Sequence, residues 1–391
     1  MGLWEPGVGR RYTRGMNPAG AETESNQRWT TRSLMKWMSE TFGERGVDEP
    51  RLTAELLLER AAGLTRLDLY TQADRPASAE ELATLRAMVK RVLGGEPVQY
   101  ALGAWYFFGL RLGVDKRVLI PRPCTELICE EVIQDVKRRE REAAETGGGD
   151  EHEAGGEHAE EGGGDDASRT AERTADGEES DGDGDPAAAA SAQRAAVGAK
   201  RRAAESAGTG VLIADIGTGS GAIAIALAKH LPGATVIATD ISAEALDVAR
   251  TNAAEHGVDE RIEFVLGDGP EALFEHAPIS AHGGLDYLVS NPPYIPDAEW
   301  DDPSMMDAHV REHEPELALR GGADGLDVIR RLVRAAPRLM KVGGMLAIET
   351  AASTATAVAA GIDRTPGVAT RAVRTDLDGH PRVVVAERVA P

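Results

Sequence analysis

Asp215-Ile216-Gly217-Thr218-Gly219-Ser220-Gly221 closes a short apolar run and stands directly before a helical stretch. Glycines in such a place let the backbone turn sharply and approach a ligand with no Cβ atom in the way. Asp240 ends the next apolar run about 20 residues on, where a carboxylate accepts hydrogen bonds from ribose hydroxyls. Asp215, Gly217, Thr218, Gly219, Ser220, Gly221 and Asp240 are therefore the expected site for a nucleoside-containing cofactor. Gly217, Gly219 and Ala222 also satisfy a relaxed dinucleotide fingerprint. The loop alone leaves methyltransferase and dehydrogenase readings open, with a plain tight turn as a third. Gly267-Asp268-Gly269 adds a carboxylate that either binds an adenine amino group or simply makes a turn.

Asn291-Pro292-Pro293-Tyr294, after the apolar run 285–290, separates these readings. Two prolines fix the backbone and remove N–H donors, so this loop presents acceptors: the Asn291 side-chain oxygen and the Pro292 carbonyl. Two acceptors match a planar NH2 group, and Tyr294 can lie against its flat face and exclude water. An amide nitrogen is a poor nucleophile because its lone pair is delocalised into the carbonyl. What it needs is less a strong base than two fixed acceptors that orient it and stabilise positive charge as a new bond forms. Asn291, Pro292 and Tyr294 are the expected catalytic residues, and Asn291, Pro292, Pro293 and Tyr294 the expected substrate contacts.

The elements that must position these residues follow from periodicity. Runs at 211–215, 235–239, 262–266, 285–290 and 345–349 suit strands buried on both faces. Helical stretches at 222–230, 243–256 and 324–340 alternate with them, and 368–373 with 382–387 could close the sheet as a hairpin. This order implies an α/β fold: a mostly parallel sheet with helices on both faces and ligands at the carboxyl ends of the strands. Upstream, Leu34, Met35, Trp37 and Met38, then Leu52, Leu56, Leu57 and Leu58, then Leu82, Leu85, Met88, Val89 and Val92 recur at helical spacing and predict a small bundle. Asp48 and Ser78 are its expected N-caps, Ser78 with Glu81 as a capping box. Residues 94–119, with Tyr100 and Trp105 to Phe108, read as a β-hairpin leading to Ile120-Pro121-Arg122-Pro123.

Charge sets the remaining boundaries. The net charge is −22, but 18 acidic and 3 basic residues lie between Glu140 and Asp185, so the rest is mildly acidic. From about 138 the chain is Gly, Ala, Glu and Asp with almost no large apolar residue, too little to offset the entropy of ordering. The expected division is a disordered extension at 1–25, within which Met16 offers an alternative start, and a helical docking bundle at 26–94. A hairpin linker at 95–137, a disordered acidic insertion at 138–208 and a catalytic domain at 209–391 follow. Cys124 and Cys129 have no partners at metal-ligand spacing, so no metal is expected. With no run of 18 apolar residues and no secretory signal, a soluble, cytoplasmic protein is expected.

Further stretches appear in a fixed order: Gly95 to Tyr100, Ile120 to Pro123 with Thr125-Glu126, the glycine loop and Asn291 to Tyr294. They continue with Glu314-Pro315, Ala318-Leu319, Gly321 to Leu326, and Asp376-Leu377 to Val384. On these residues the second half looks like a class I S-adenosylmethionine methyltransferase. The chain as a whole resembles the HemK/PrmC family of release factor glutamine methyltransferases.

The resemblance implies S-adenosylmethionine held by Gly217 to Gly221 and Asp240, with Asn291 touching both cofactor and substrate; Asp268 and Gly269 are further expected cofactor contacts. It implies docking of class 1 release factors on the helical bundle and methylation of the glutamine of their Gly-Gly-Gln tip; a monomer with no direct nucleic-acid or membrane contact is expected. Cys124 departs from the Asp usual after Pro-Arg-Pro, Gly269 from a common aromatic, and the long acidic insertion from a short connection. A ribosomal-protein glutamine methyltransferase and a DNA adenine-N6 methyltransferase remain alternatives. The second should carry a basic groove for phosphates, which this acidic balance does not supply.

Overall fold

The fold is taken from a computed structural model that describes residues 29–147, 210–306 and 308–390. The expected disordered extension 1–25, and residues 148–208 of the expected insertion, lie outside the described residues.

Helices Thr31–Glu44, Pro50–Ala62, Arg66–Thr71, Ala79–Leu93 and Val98–Leu102 pack around Leu34, Met38, Phe42, Leu57, Leu85 and Val89, all buried. Ser78 and Glu81 form the expected capping box, the Glu81 N–H donating to Ser78 Oγ at 3.2 Å and the Ser78 N–H to Glu81 Oε2 at 2.9 Å. Asp48 is not a cap. Glu49, at φ 45°, occupies that place, and Pro50 begins the helix, where its missing N–H costs nothing. Leu52 is exposed; Thr53, Ala54 and Glu55 complete the buried face of that helix instead.

The hairpin is shorter than expected. β1 (Ala104–Phe107) pairs antiparallel with β2 (Leu110–Gly113) across a turn in which Phe108 and Gly109 both have positive φ. Tyr100 lies in the helix Val98–Leu102, where it is buried and donates its hydroxyl proton to the Val118 carbonyl.

Helix Glu126–Gly147 follows, and it carries the chain ten residues into the segment expected to be disordered. Ile128, Val132 and Val136 anchor its first turns in the core. Beyond them Arg, Glu and Ala are good helix formers, and Arg138 pairs with Glu142 one turn on. Low hydrophobicity precludes a core, not the continuation of a helix already anchored.

The large sheet has the order β5-β4-β3-β6-β7-β9-β8. Its strands are β3 (Leu212–Ile216), β4 (Thr235–Asp240), β5 (Ile262–Leu266), β6 (Leu285–Ser290), β7 (Met340–Glu349), β8 (Val368–Thr375) and β9 (Pro381–Arg388). β3 to β7 are parallel, while β9 pairs antiparallel with both β7 and β8, making the expected closing hairpin. Helices Glu126–Gly147, Ala222–His230 and Ala243–Glu255 lie with one apolar cluster, and Asp327–Leu339 and Ala355–Asp363 with another. Each sheet face is thus covered, which is why the strands read as continuous apolar runs. Strand order reverses between β3 and β6, and a crevice at that switch point is where open α/β sheets bind ligands.

Two buried polar residues tie the N-terminal elements to this sheet. The Asn252 side-chain NH2 donates to Gly113 O at 3.0 Å and Ser220 O at 2.8 Å, while its oxygen accepts from the Gly113 N–H at 2.7 Å. Glu314 accepts from the Ile120 N–H at 3.1 Å and pairs with Arg122. The linker and the glycine loop are therefore held on one scaffold.

Candidate active site

β3, β4, β5, β6 and β7 end on the same edge of the sheet, and the expected site residues are distributed over the first four of these ends. After β3, the N–H groups of Gly217 and Thr218 both donate to Thr239 O at 2.9 Å, so the loop is pinned to β4. Gly217, Gly219 and Gly221 have φ of 73°, 55° and 82°. A side chain built on Gly217 or Gly219 would meet nothing within 4 Å, so these two flank open space. Gly221, in contrast, opens the helix Ala222–His230 in close contact with Ile225 and Ala249.

Asp215 is fully buried. Its Oδ2 accepts from Thr218 Oγ1 at 2.6 Å and from the Ala224 N–H at 3.2 Å, whereas Oδ1 is buried with no partner among the described residues. Burial pushes its pKa up to about 7, with the nearby Asp240 carboxylate adding to the rise. An orphaned buried acceptor beside an open glycine loop fits a ligand carrying a cationic N–H group. Asp240 accepts from the Gly219 N–H at 2.8 Å and the Ser242 N–H at 2.9 Å, which leaves further lone pairs on both oxygens.

Asp268 stands beyond β5 with Oδ1 taken by the Arg331 guanidinium at 2.8 Å. The same guanidinium packs on the Gly269 backbone, where a Cβ would lie 2.8 Å from Arg331 Cζ. Arg331 thus fills the space where an aromatic side chain would begin, a physical reason for glycine at this position.

Beyond β6, Ser290 donates its hydroxyl to Ile216 O at 2.7 Å and stitches the end of that strand to β3. Asn291 Nδ2 donates to Thr125 Oγ1 at 3.0 Å. Among the described residues no donor meets Asn291 Oδ1 or the Pro292 carbonyl, so both acceptors are unpaired. The Tyr294 hydroxyl donates to Glu349 Oε1 at 3.2 Å.

Neither Glu349 nor Thr125 is among the site residues expected from the sequence. Glu349 ends β7, is fully buried, and on Oε1 accepts from the Tyr294 hydroxyl and from Cys124 Sγ at 3.6 Å, while Oε2 is buried with no partner among the described residues. Burial raises its pKa and these donors oppose the rise. Cys124, also buried in large part and beside Glu349, has its thiol pushed up to about 11. Where an Asp would set a second carboxylate against Glu349, Cys124 supplies a neutral donor.

The glycine-rich segment after Leu319 braces the loop from outside. The Ile295 N–H donates to Leu319 O at 2.9 Å, the Gly321 N–H to Ile295 O at 2.8 Å and the Asp297 N–H to Gly322 O at 2.9 Å. Gly325, at φ 76°, approaches so closely that a Cβ would lie 2.3 Å from the Tyr294 carbonyl oxygen. Gly325→Ala is therefore expected to displace the Asn291–Tyr294 loop. A shift of about 1 Å costs about 10²-fold in turnover. Steady-state kinetics should show that loss while calorimetry shows cofactor affinity within about twofold, since the atoms nearest the added Cβ belong to Tyr294 and Pro296 and not to the glycine loop.

Comparisons with known proteins agree with this geometry. Residues 33–103 match the family described as the PrmC N-terminal domain, and residues 203–322 match the methyltransferase small domain. The chain is 39% identical over 321 residues to the release factor glutamine methyltransferase of Chlorobaculum tepidum, covering 82% of this chain and 85% of that one. It is 34% identical to the enzyme of that name from Geobacter sulfurreducens, covering 93% and 98%, and 30% identical to that of Rhodopirellula baltica, covering 94% and 99%. Helical unit, glycine loop and the Asn291–Tyr294 loop thus occur in one chain that aligns with these enzymes over most of its length, and the chain belongs to the release factor glutamine methyltransferase family.

Proposed function

We propose that this protein transfers a methyl group from S-adenosylmethionine to the N5 side-chain amide of the glutamine in the Gly-Gly-Gln tip of class 1 release factors. The observation that carries the reading is the pair of acceptors beyond β6: Asn291 with its NH2 tied to Thr125, and the Pro292 carbonyl with no donor among the described residues. When bound, the cofactor supplies a methyl carbon made electrophilic by a sulfonium.

This chain's residues do the rest. The N–H groups and carboxylates of the Gly217–Gly221 loop, Asp215 and Asp240 hold the amino-acid and ribose parts of the cofactor, with Asp268 and Gly269 at the adenine. Asn291 Oδ1 and Pro292 O accept the two N–H bonds of the substrate amide and hold its nitrogen in line for attack. As positive charge develops on that nitrogen, the same two oxygens face it. Tyr294 and Pro293 cover the flat face of the amide and keep water away. No strong base is required, because the methylated amide loses its proton readily to water once positive charge has formed.

The helical unit read as residues 26–94 docks the release factor, and the protein works as a soluble cytoplasmic monomer. Among the described residues no helix is long and apolar enough to cross a membrane. Purified protein, labelled S-adenosylmethionine and a release factor should yield label in the factor, and none when its tip glutamine is replaced. Equal labelling of both factors, or of neither, overturns the assignment; label in a ribosomal protein instead moves the substrate, not the chemistry.

A further inference from the structure

We propose that Glu314 and Arg122 are positioning residues that fix the reach between the helical docking unit and the Asn291–Tyr294 loop. A release factor seated on the unit then presents its glutamine to the two acceptors. The inference rests on the docking and glutamine reading above and deepens it. A substrate held at two places needs those places at a set distance, because near-attack geometry is lost with an error of about 1 Å.

The docking unit has its own seat on the catalytic domain. Tyr100 donates its hydroxyl to the Val118 carbonyl, and Tyr100, Val118 and Ile120 are buried together with Ala245 and Val248 of the helix after β4. The substrate loop is braced from the other side, by the segment after Leu319. Glu314 is where that segment meets the linker. It is buried, and both carboxylate oxygens face the linker: Oε2 accepts from the Ile120 N–H at 3.1 Å and Oε1 from the Arg122 guanidinium. Just before it, in the helix Ala308–His313, His309 meets the Gly95 carbonyl at 2.7 Å, directly past the end of the helix Ala79–Leu93.

The chain between this clamp and the loop is stiff. Pro315 fixes one backbone angle, the Ala318 N–H donates to Pro315 O at 3.0 Å, and the Leu319 N–H donates to Glu316 O at 3.0 Å. Leu319 O then receives the Ile295 N–H at 2.9 Å. A buried carboxylate is satisfied here only while its backbone donor and its guanidinium stand in this register, so the clamp sets where the loop lies. Gly95 to Tyr100, Ile120 to Pro123 and Glu314-Pro315, three stretches the sequence left without a task, thereby share one.

The test uses the full-length protein, a release factor and labelled S-adenosylmethionine. Glu314→Ala should slow single-turnover transfer by about 10²-fold, as a shift of about 1 Å does. Affinity for the release factor should stay within about threefold and for S-adenosylhomocysteine within about twofold, because the docking unit and the glycine loop keep their own contacts. Glu314→Gln keeps an oxygen for the Ile120 N–H but loses the charge that holds Arg122, so its loss should be smaller, about tenfold. Adding Arg122→Ala to Glu314→Ala should cost nothing further, since both act through one contact. Hydrogen exchange in Glu314→Ala should quicken at residues 291–297 and 314–322 and keep the parent rate in the helices of the docking unit. If Glu314→Ala does not fold, Arg122→Ala opens the same clamp from its partly exposed side, with the same exchange pattern and transfer slowed about tenfold.

A parent-like rate in Glu314→Ala, losses that add in the double variant, or release-factor affinity falling as far as the rate would overturn the positioning role while the glutamine reading stands. Exchange quickened throughout the chain would overturn it as well, since the clamp would then serve the fold at large. No transfer to the release factor by the parent protein removes both readings.

Discussion

Asn291→Ala is expected to lower methyl transfer by at least about 10³-fold, because it deletes the acceptor that orients the substrate nitrogen and faces its developing charge. Cofactor binding should survive largely intact. The glycine loop is pinned by Thr239, and Asp215 is held by Thr218 and Ala224, none of which depends on Asn291. Single-turnover kinetics and calorimetry on the same variant separate the two effects. Asp240→Ala should behave in the opposite way. It frees the Gly219 and Ser242 N–H groups and removes the ribose acceptor, so affinity falls first. Equal loss of affinity in both variants would contradict this division of labour between the ends of β4 and β6.

The second large effect concerns pH. In the free protein Asp215 has its pKa raised by burial to about 7, so below that pH it carries a proton. Its Oδ1 is buried without a partner, and if the proposed cofactor ammonium is what it accepts from, binding requires that proton to leave. Affinity for S-adenosylhomocysteine should therefore weaken about tenfold for each unit that the pH drops below 7, and stay level above about 7.5.

The same shift fixes the sign for stability. The unfolded chain loses this proton near pH 4, as an ordinary carboxyl does, while the folded chain keeps it until about 7. Between those values the unfolded state binds fewer protons, so the free protein loses stability as pH rises, and the penalty is complete above 7. Asp215→Asn should abolish the slope in affinity and make the apo protein no less stable at pH 7.5. Calorimetry between pH 5.5 and 7.5, in buffers of different ionisation enthalpy, reads both the affinity and the released proton. A flat profile with no proton release would show that Asp215 is not the acceptor.

Local signals made much of this protein legible before its structure. The strands of the sheet are apolar runs because both faces are covered, and the glycine loop and the Asn-Pro-Pro-Tyr turn need particular residues at consecutive positions. The fold class and the strand ends that carry the site follow from those two facts. What the sequence concealed is long-range. Glu349 stands 225 residues from Cys124, and Thr125 stands 166 from Asn291, and neither pair leaves a spacing to detect.

The other differences have physical causes as well. Tyr100 has the β propensity of a strand residue, yet Pro97 and Gly103 delimit a short helix that buries it. Helix Glu126–Gly147 outran its apolar anchor because Arg, Glu and Ala sustain a helix without a core contact. Asp268 reads as a free carboxylate in the sequence, but Arg331 arrives from a helix 63 residues away. The departures at Cys124 and Gly269 make sense only beside their neighbours: one sets a thiol against a buried carboxylate, and the other leaves room for a guanidinium.

A crystal structure with S-adenosylhomocysteine and a release factor bound would examine the grip on the amide itself. The tip glutamine nitrogen should lie about 3 Å from both Asn291 Oδ1 and the Pro292 carbonyl, with Nδ2 still on Thr125. Finding those two oxygens turned away from the glutamine, or the Asn291 amide reversed in the bound state, would contradict it.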